Sequence, residues 1–186
     1  MEKNKITVIT VVKDSSNTIE KTIKSVLAQK YKNLEYIVID GGSTDGTLKI
    51  IKKYKKDISL FLSEKDNGIW DAMNKGIKHA GGDVLGFINS GDIYYPGALK
   101  TVNNYFTEFE VDFIFGTVEK YKLMHGYKPW KIDFSFGFYT SHSIGFFIKR
   151  IKHIDVGYYN LNYLSADLDF FYKMIKIFKL KGMSSK

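Results

Sequence analysis

Three short stretches carry side chains suited to holding a charged ligand: Thr10-Val11-Val12-Lys13-Asp14, Asp40 with Gly41-Gly42-Ser43-Thr44-Asp45-Gly46 behind it, and Asn89-Ser90-Gly91-Asp92. Each follows an apolar, β-branched run that reads as a short buried strand. Carboxylates and hydroxyls in such places either cap turns and helices or line a ligand site. Capping explains any one of them. Three at one edge shift the reading towards a site, because ligands of open α/β sheets bind beyond the carboxyl ends of the strands. A fourth segment, Ser63 to Ile77, joins them: an Asp66-Asn67-Gly68 turn opens a helix whose first turns bear Asp71, Asn74 and Lys75. The first turn of a helix favours anions.

Several chemistries drop out. The loop after the first strand has no glycine, and Gly41, Gly42 and Gly46 follow the second strand with the wrong spacing for a dinucleotide fingerprint. There is no phosphate-binding G-x-x-x-x-G-K-[ST] loop and no G-x-S-x-G nucleophile elbow. His79, His125, His142 and His153 lack zinc spacing. Cysteine is absent, which removes disulfides, thiolate metal sites and cysteine nucleophiles together.

The elements that must position these residues follow from periodicity. Strands are expected at Ile6–Val12, Leu34–Ile39, Ile58–Leu62, Val84–Ile88, Val111–Phe115 and Thr117–Leu123. Helical spacing joins Ile19, Ile23, Val26 and Leu27, with Asn17 and Glu20 as a capping box. It recurs from Leu48 to Tyr54, from Ile69 to Ala80 and from Leu99 to Phe109. Strands and helices thus alternate over roughly the first 115 residues, which predicts an α/β fold: a mostly parallel sheet with helices on both faces. The aromatic-rich remainder is irregular and ends in a helix from about Ser165. On that helix Phe171, Met174, Ile175 and Phe178 form a stripe, and Lys173, Lys176 and Lys179 lie off it. Such a helix either packs its apolar face on the core or docks on a membrane.

The chain has 186 residues, 44% of them hydrophobic, enough for one well-filled domain. The formal charge is +8, and every basic residue but Arg150 is lysine. Lysine is a mobile point charge without the rigid fork that reads bases, so no nucleic-acid partner is expected. Nucleotide diphosphates and acidic lipid headgroups stay open as partners. No run reaches the roughly 18 apolar residues of a spanning helix, and Met1–Lys5 leads into a strand without a secretory apolar region. The expectation is a cytoplasmic protein, soluble or peripheral at the membrane.

The runs Val8–Asp14, Tyr36–Thr47, Glu64–Ile77 and Phe87–Asp92, in that order, resemble the family 2 glycosyltransferases, and more narrowly the bacterial enzymes of the colanic-acid type that build exopolysaccharide and O-antigen. The likeness is close over residues 5–100 and looser over 135–175. It implies the GT-A fold in a single domain over residues 1–186, with 1–115 as the nucleotide-sugar half and 116–186 as the acceptor-side half. It further implies transfer of a sugar from a nucleotide diphosphate, UDP favoured, to a saccharide or lipid-linked saccharide acceptor, with inversion and with Mg2+ or Mn2+.

Carried over by position, the resemblance puts Thr10 and Val12 in the base pocket and makes Asp40 the carboxylate that meets the base edge. Asp66 lies near base and ribose; Lys75, Ser90 and Gly91 belong with the nucleotide. Asp92 becomes the metal ligand, although Gly91 stands where the family often has a second acidic residue. In Tyr163–Phe170 the resemblance makes Asp167 the base that takes the acceptor's proton, with Asp169 in reserve, and sets His142 near the acceptor. Many members continue well past the final helix, whereas this chain ends at Lys186. Two other readings remain: a catalytically silent nucleotide-binding module of the same fold, and a sugar nucleotidyltransferase. The latter class carries a Gly-rich basic loop after its first strand, which Lys13-Asp14-Ser15-Ser16-Asn17 is not.

Overall fold

The computed structural model describes residues 3–120, 123–124 and 143–185. Strand β1 (Ile6–Val12) is buried along its whole length, as a strand with both faces covered must be. Alternation splits its side chains: Ile6, Val8 and Val12 pack into one apolar cluster, Ile9 and Val11 into the other. Strands β2 (Leu34–Asp40), β3 (Leu60–Ser63) and β4 (Val84–Asn89) run parallel with β1.

Helices α1 (Ile19–Leu27), α2 (Thr47–Lys53) and α4 (Ala98–Glu108) cover one face. Helix α3 (Ile69–His79) covers the other, joined by α6 (Ala166–Tyr172). Helix α3 lies tight against β1, because a side chain at Gly76 would fall 2.4 Å from Ile9 Cγ2.

The seven-stranded sheet has the order β3-β2-β1-β4-β8-β5-β9, where β5 is Phe113–Phe115, β8 is Phe146–Lys149 and β9 is Gly182–Ser184. Strand β8 runs antiparallel to both of its neighbours and restores the common direction on either side. Strands β6 (Val118–Glu119) and β7 (Leu123–Met124) form a separate small hairpin. Helix α5 (Arg150–Val156) follows β8 directly. From β1 the chain moves outward through β2 to β3, then returns to place β4 on the other side of β1. The gap between the carboxyl ends of β1 and β4 is therefore the switch point at which such sheets bind ligands.

Some expectations need correction. The residue capping α1 is Thr18, without a side-chain cap, and the Glu20 carboxylate instead accepts from the Tyr54 hydroxyl at 2.7 Å. The third strand starts two residues later than periodicity suggests, and the run from Thr117 is a hairpin strand, not a sheet strand. On the last helix Phe171 and Met174 are buried in the core, so the apolar stripe largely packs inward, and the helix closes in a π turn over Lys173–Ile177. Among the described residues, no helix is long and apolar enough to cross a membrane.

Candidate functional site

A cleft of about 260 Å3 opens at the switch point. Its floor comes from the end of β1 (Val11, Val12, Lys13) and of β4 (Asn89, Ser90); Asp66, Gly68, Ile69 and Ala72 close it from the start of α3. Beside it lies a second cavity of about 470 Å3, whose wall includes Gly91 and Asp92. The turn Asn89–Asp92 thus contributes to both spaces.

That turn is braced from α1. The buried Thr22 hydroxyl donates to the Asp92 carbonyl at 2.8 Å and accepts from the Gly91 amide at 3.0 Å. The Asp92 amide closes the turn on the Asn89 carbonyl at 3.1 Å. The Ser90 hydroxyl meets that of Thr18 at 3.0 Å. Gly91 has φ +101°, a conformation in which a side chain is strained, and this accounts for glycine where an acidic residue was the family expectation. Asn89 Oδ1 is buried and has no hydrogen-bond partner among the described residues. An amide oxygen left like this costs stability unless something else meets it.

Asp40 ends β2 and is wholly buried. Its carboxylate accepts from the Ser43 hydroxyl on Oδ1, and from the Gly42 amide (3.1 Å), the Ser43 amide (3.0 Å) and the Ser63 hydroxyl (2.8 Å) on Oδ2. It shapes the turn and does not line the cleft. Thr10 is also buried, its hydroxyl paired with that of Tyr36 at 3.0 Å on the sheet face away from α3. Val12 does line the cleft, and its carbonyl accepts from the Gly41 amide at 2.9 Å. Asp66 lines it too, held by a bond from the Gly68 amide to Oδ1 at 3.1 Å.

Lys75 stands behind that loop and clasps it. Its ammonium pairs with Glu64 at 2.9 Å and Asp71 at 3.4 Å, and reaches the Lys65 carbonyl at 3.4 Å. The Glu64 and Asp71 carboxylates hold its pKa above the usual lysine value. Asp71 is held below the usual carboxylate range, chiefly by the Asn67 amide and then by Lys75.

Asp167 sits half-buried in the first turn of α6, with Oδ1 accepting from the Leu168 amide at 3.0 Å. Asp169 pairs with the Lys173 ammonium at 2.6 Å. The segment leading into α6 is tied to α3 twice. The Trp70 indole donates to the Leu164 carbonyl at 3.1 Å. The buried Asn74 side chain donates to the Tyr159 carbonyl at 2.8 Å and accepts from its amide at 2.9 Å. His142 lies outside the described residues. Lys13, at the end of the first expected strand, lines the cleft wall; sequence reasoning passed over Ser15 beside it and Thr22, which braces the turn from within α1.

This architecture is the GT-A glycosyltransferase fold. The chain superposes on the mannosyltransferase PcManGT of Pyrobaculum calidifontis, solved with GDP-Man and Mn2+, with a TM-score of 0.77 at 18% identity, over 98% of this chain and 55% of that one. It likewise superposes on residues 1–349 of Staphylococcus aureus TarS, solved with UDP, with a TM-score of 0.75 at 22% identity, over 91% of this chain and 54% of that one. Residues 7–171 match the model for glycosyl transferase family 2, and the chain belongs to that family. An uncharacterized glycosyltransferase of Mycobacterium tuberculosis is 42% identical over 88 residues, 47% of this chain and 34% of the relative. The glycosyltransferase GlyA of Streptococcus pneumoniae is 28% identical over 125 residues, 66% of this chain and 18% of that protein. The chain therefore spans about a third or less of these curated relatives.

Proposed function

We propose that the chain transfers a sugar from a nucleotide diphosphate, with UDP as the favoured carrier, to a hydroxyl of a saccharide or lipid-linked saccharide. The observation that carries this reading is the cleft at the β1–β4 switch point, walled by a braced turn with an orphaned amide oxygen. Family membership supports the chemistry, and the colanic-type resemblance supports a role in bacterial surface polysaccharide synthesis. In this reading residues 1–115 serve the donor and 116–186 the acceptor.

The Asn89–Asp92 turn suits a divalent cation: it carries one carboxylate and one amide oxygen without a partner among the described residues, both hard donors. No cluster of three or more His, Cys, Asp or Glu occurs among the described residues, so diphosphate oxygens and water would complete the shell of Mg2+ or Mn2+. When bound, the ion would neutralise charge on the departing diphosphate. The chain's own work is positioning and proton transfer. Asp167 accepts the acceptor's hydroxyl proton as that oxygen bonds to the anomeric carbon from the face opposite the diphosphate. The bond from the anomeric carbon to the diphosphate oxygen breaks, its electron pair leaves with the diphosphate, and configuration inverts. Trp70 and Asn74 hold the start of α6 against α3, so the base is fixed relative to the cleft.

The test is a panel of nucleotide sugars with Mn2+ and saccharide acceptors, run on the wild type and on Asp167→Asn. Transfer that EDTA abolishes, and that Asp167→Asn lowers by about 10² or more while donor still binds, is the expected result. Binding without turnover across the panel would leave a nucleotide-binding module in place of an enzyme.

A further inference from the structure

The loop from Tyr158 to Leu164, between α5 and α6, runs along α3 in the opposite direction and is pinned to it along its length. The Lys78 ammonium lies 5.6 Å from the centre of the Tyr158 ring. Asn74 holds both backbone groups of Tyr159, and the Trp70 indole holds the Leu164 carbonyl. Inside the loop the Tyr163 amide closes on the Asn160 carbonyl at 3.2 Å, and the Asn162 amide on the Asn160 side chain at 3.0 Å. At the rise of an α-helix, the stretch of α3 from Trp70 to Lys78 that anchors the loop is about 12 Å long.

These bonds decide where the side chains go. The Tyr159 ring turns inward onto Trp70, 5.1 Å between centres, and is buried. Leu164 is wholly exposed, and Tyr158, Leu161 and Tyr163 are about half exposed. Ile69, exposed at the mouth of the cleft, extends the apolar line. The backbone is thus fixed while its apolar tips stand in solvent. A contiguous apolar patch on an ordered support marks a contact surface, because little order remains to be imposed when it is covered.

We propose that this ridge docks the chain on an anionic lipid bilayer. The proposal rests on the reading of the acceptor as lipid-linked: Asp167 follows Leu164 by three residues, so docking here brings the proton acceptor to the level of the headgroups. Charge selects the occupant. The stretch Val156–Ala166 has no acidic residue. Of the carboxylates that flank it, Asp155 pairs with Lys152, Asp169 pairs with Lys173, and Asp167 is half-buried. The chain as a whole carries +8. An anionic surface attracts such a chain, whereas a second copy of the same charge repels it. A saccharide needs hydrogen-bonding partners, and the side chains of Leu161 and Leu164 offer none. The exposed Lys78, over Tyr158, is placed to lay its stem on the ring and keep its ammonium among headgroup phosphates.

Sedimentation of the full chain with vesicles tests this without donor or acceptor. Its outcome is therefore separate from the question of sugar transfer, which the nucleotide-sugar panel answers. The vesicles are phosphatidylcholine alone, or phosphatidylcholine mixed equally with phosphatidylglycerol. The proteins are wild type, Leu161→Ser/Leu164→Ser, Lys78→Gln, and Leu123→Ser, which removes an exposed leucine from the separate β6–β7 hairpin. All four positions are exposed, so the fold is retained, and melting curves verify it. The expected result is wild-type binding to the mixed vesicles that salt weakens. It falls by about 10- to 100-fold in the double leucine variant and by about fivefold in Lys78→Gln, and is unchanged in Leu123→Ser. No binding by the wild type, or equal binding by the double variant, overturns the proposal. Absence of vesicle binding together with a wild-type dimer that the double variant dissociates, read by sedimentation velocity, assigns the ridge to a second copy and overturns it as well.

Discussion

His153, on α5, is wholly buried among Phe87, Tyr159 and Phe170, with its ring stacked on Phe170 at 4.3 Å. Beyond its own backbone, neither ring nitrogen has a hydrogen-bond partner among the described residues. Burial pushes its pKa down to about 3, against about 6.5 for an unfolded histidine. Because the folded pKa is the lower one, the unfolded chain binds more protons between those limits. Stability is thus lost as pH falls below about 6.5 and the loss levels off near pH 3. At about 1.4 kcal/mol per unit, the penalty is about 2 kcal/mol at pH 5 and approaches about 5 kcal/mol near pH 3. His153→Phe keeps a ring of similar size against Phe170 and removes both unpaired nitrogens. The variant should be more stable by about 1–3 kcal/mol at pH 8, where only the unsatisfied polar atoms count, and the gain should grow by about 2 kcal/mol at pH 5. Urea unfolding of both proteins at pH 8, 6.5 and 5 measures the difference directly, and carboxylates common to both cancel. A difference that stays constant with pH would show that His153 does not titrate as a buried neutral group. A destabilised variant at all three values would mean that its nitrogens are satisfied in solution.

Two further changes probe the supports of the site. Asp40→Asn places an amide group among donors that now point at a carboxylate, so it should cost about 3–5 kcal/mol of stability, read as a lower urea midpoint; a loss under about 1 kcal/mol would contradict the bonding within the turn. Asn74→Ala removes both bonds to the Tyr159 backbone. It should leave UDP affinity within about twofold while cutting transfer by about tenfold or more, since it loosens the mounting of α6 and not the cleft; equal loss of both would refute that division.

The four leading strands and helices were legible because each is encoded locally. A short β-branched run, buried throughout, marks β1, helical spacing marks α3, and Gly or Asp runs punctuate between them. Strands β8 and β9 were not, and the reason is physical. Phe146-Phe147-Ile148 is an apolar run whose strand character depends on partners far away in sequence, Val84–Gly86 on one side and Phe113–Phe115 on the other. Strand β9 likewise exists because Gly182 lets Phe113 lie across it, where a Cβ would fall 2.0 Å from the ring. Nothing within a short window signals either fact.

The same limit governs the site. Residue type and spacing place Asp40, Asp66 and Asp92 at one edge of the sheet, because strand ends are visible in the sequence. Which carboxylate turns towards the ligand depends on the path of the backbone after the strand. At Asp40 the chain folds back so that Gly42, Ser43 and Ser63 converge on the carboxylate and bury it. At Asp66 the Gly68 amide takes one oxygen and turns the other into the space above Gly41. An acid at the end of a strand is therefore evidence of where a site lies, and the donors around it decide whether it binds the ligand or holds the loop that does.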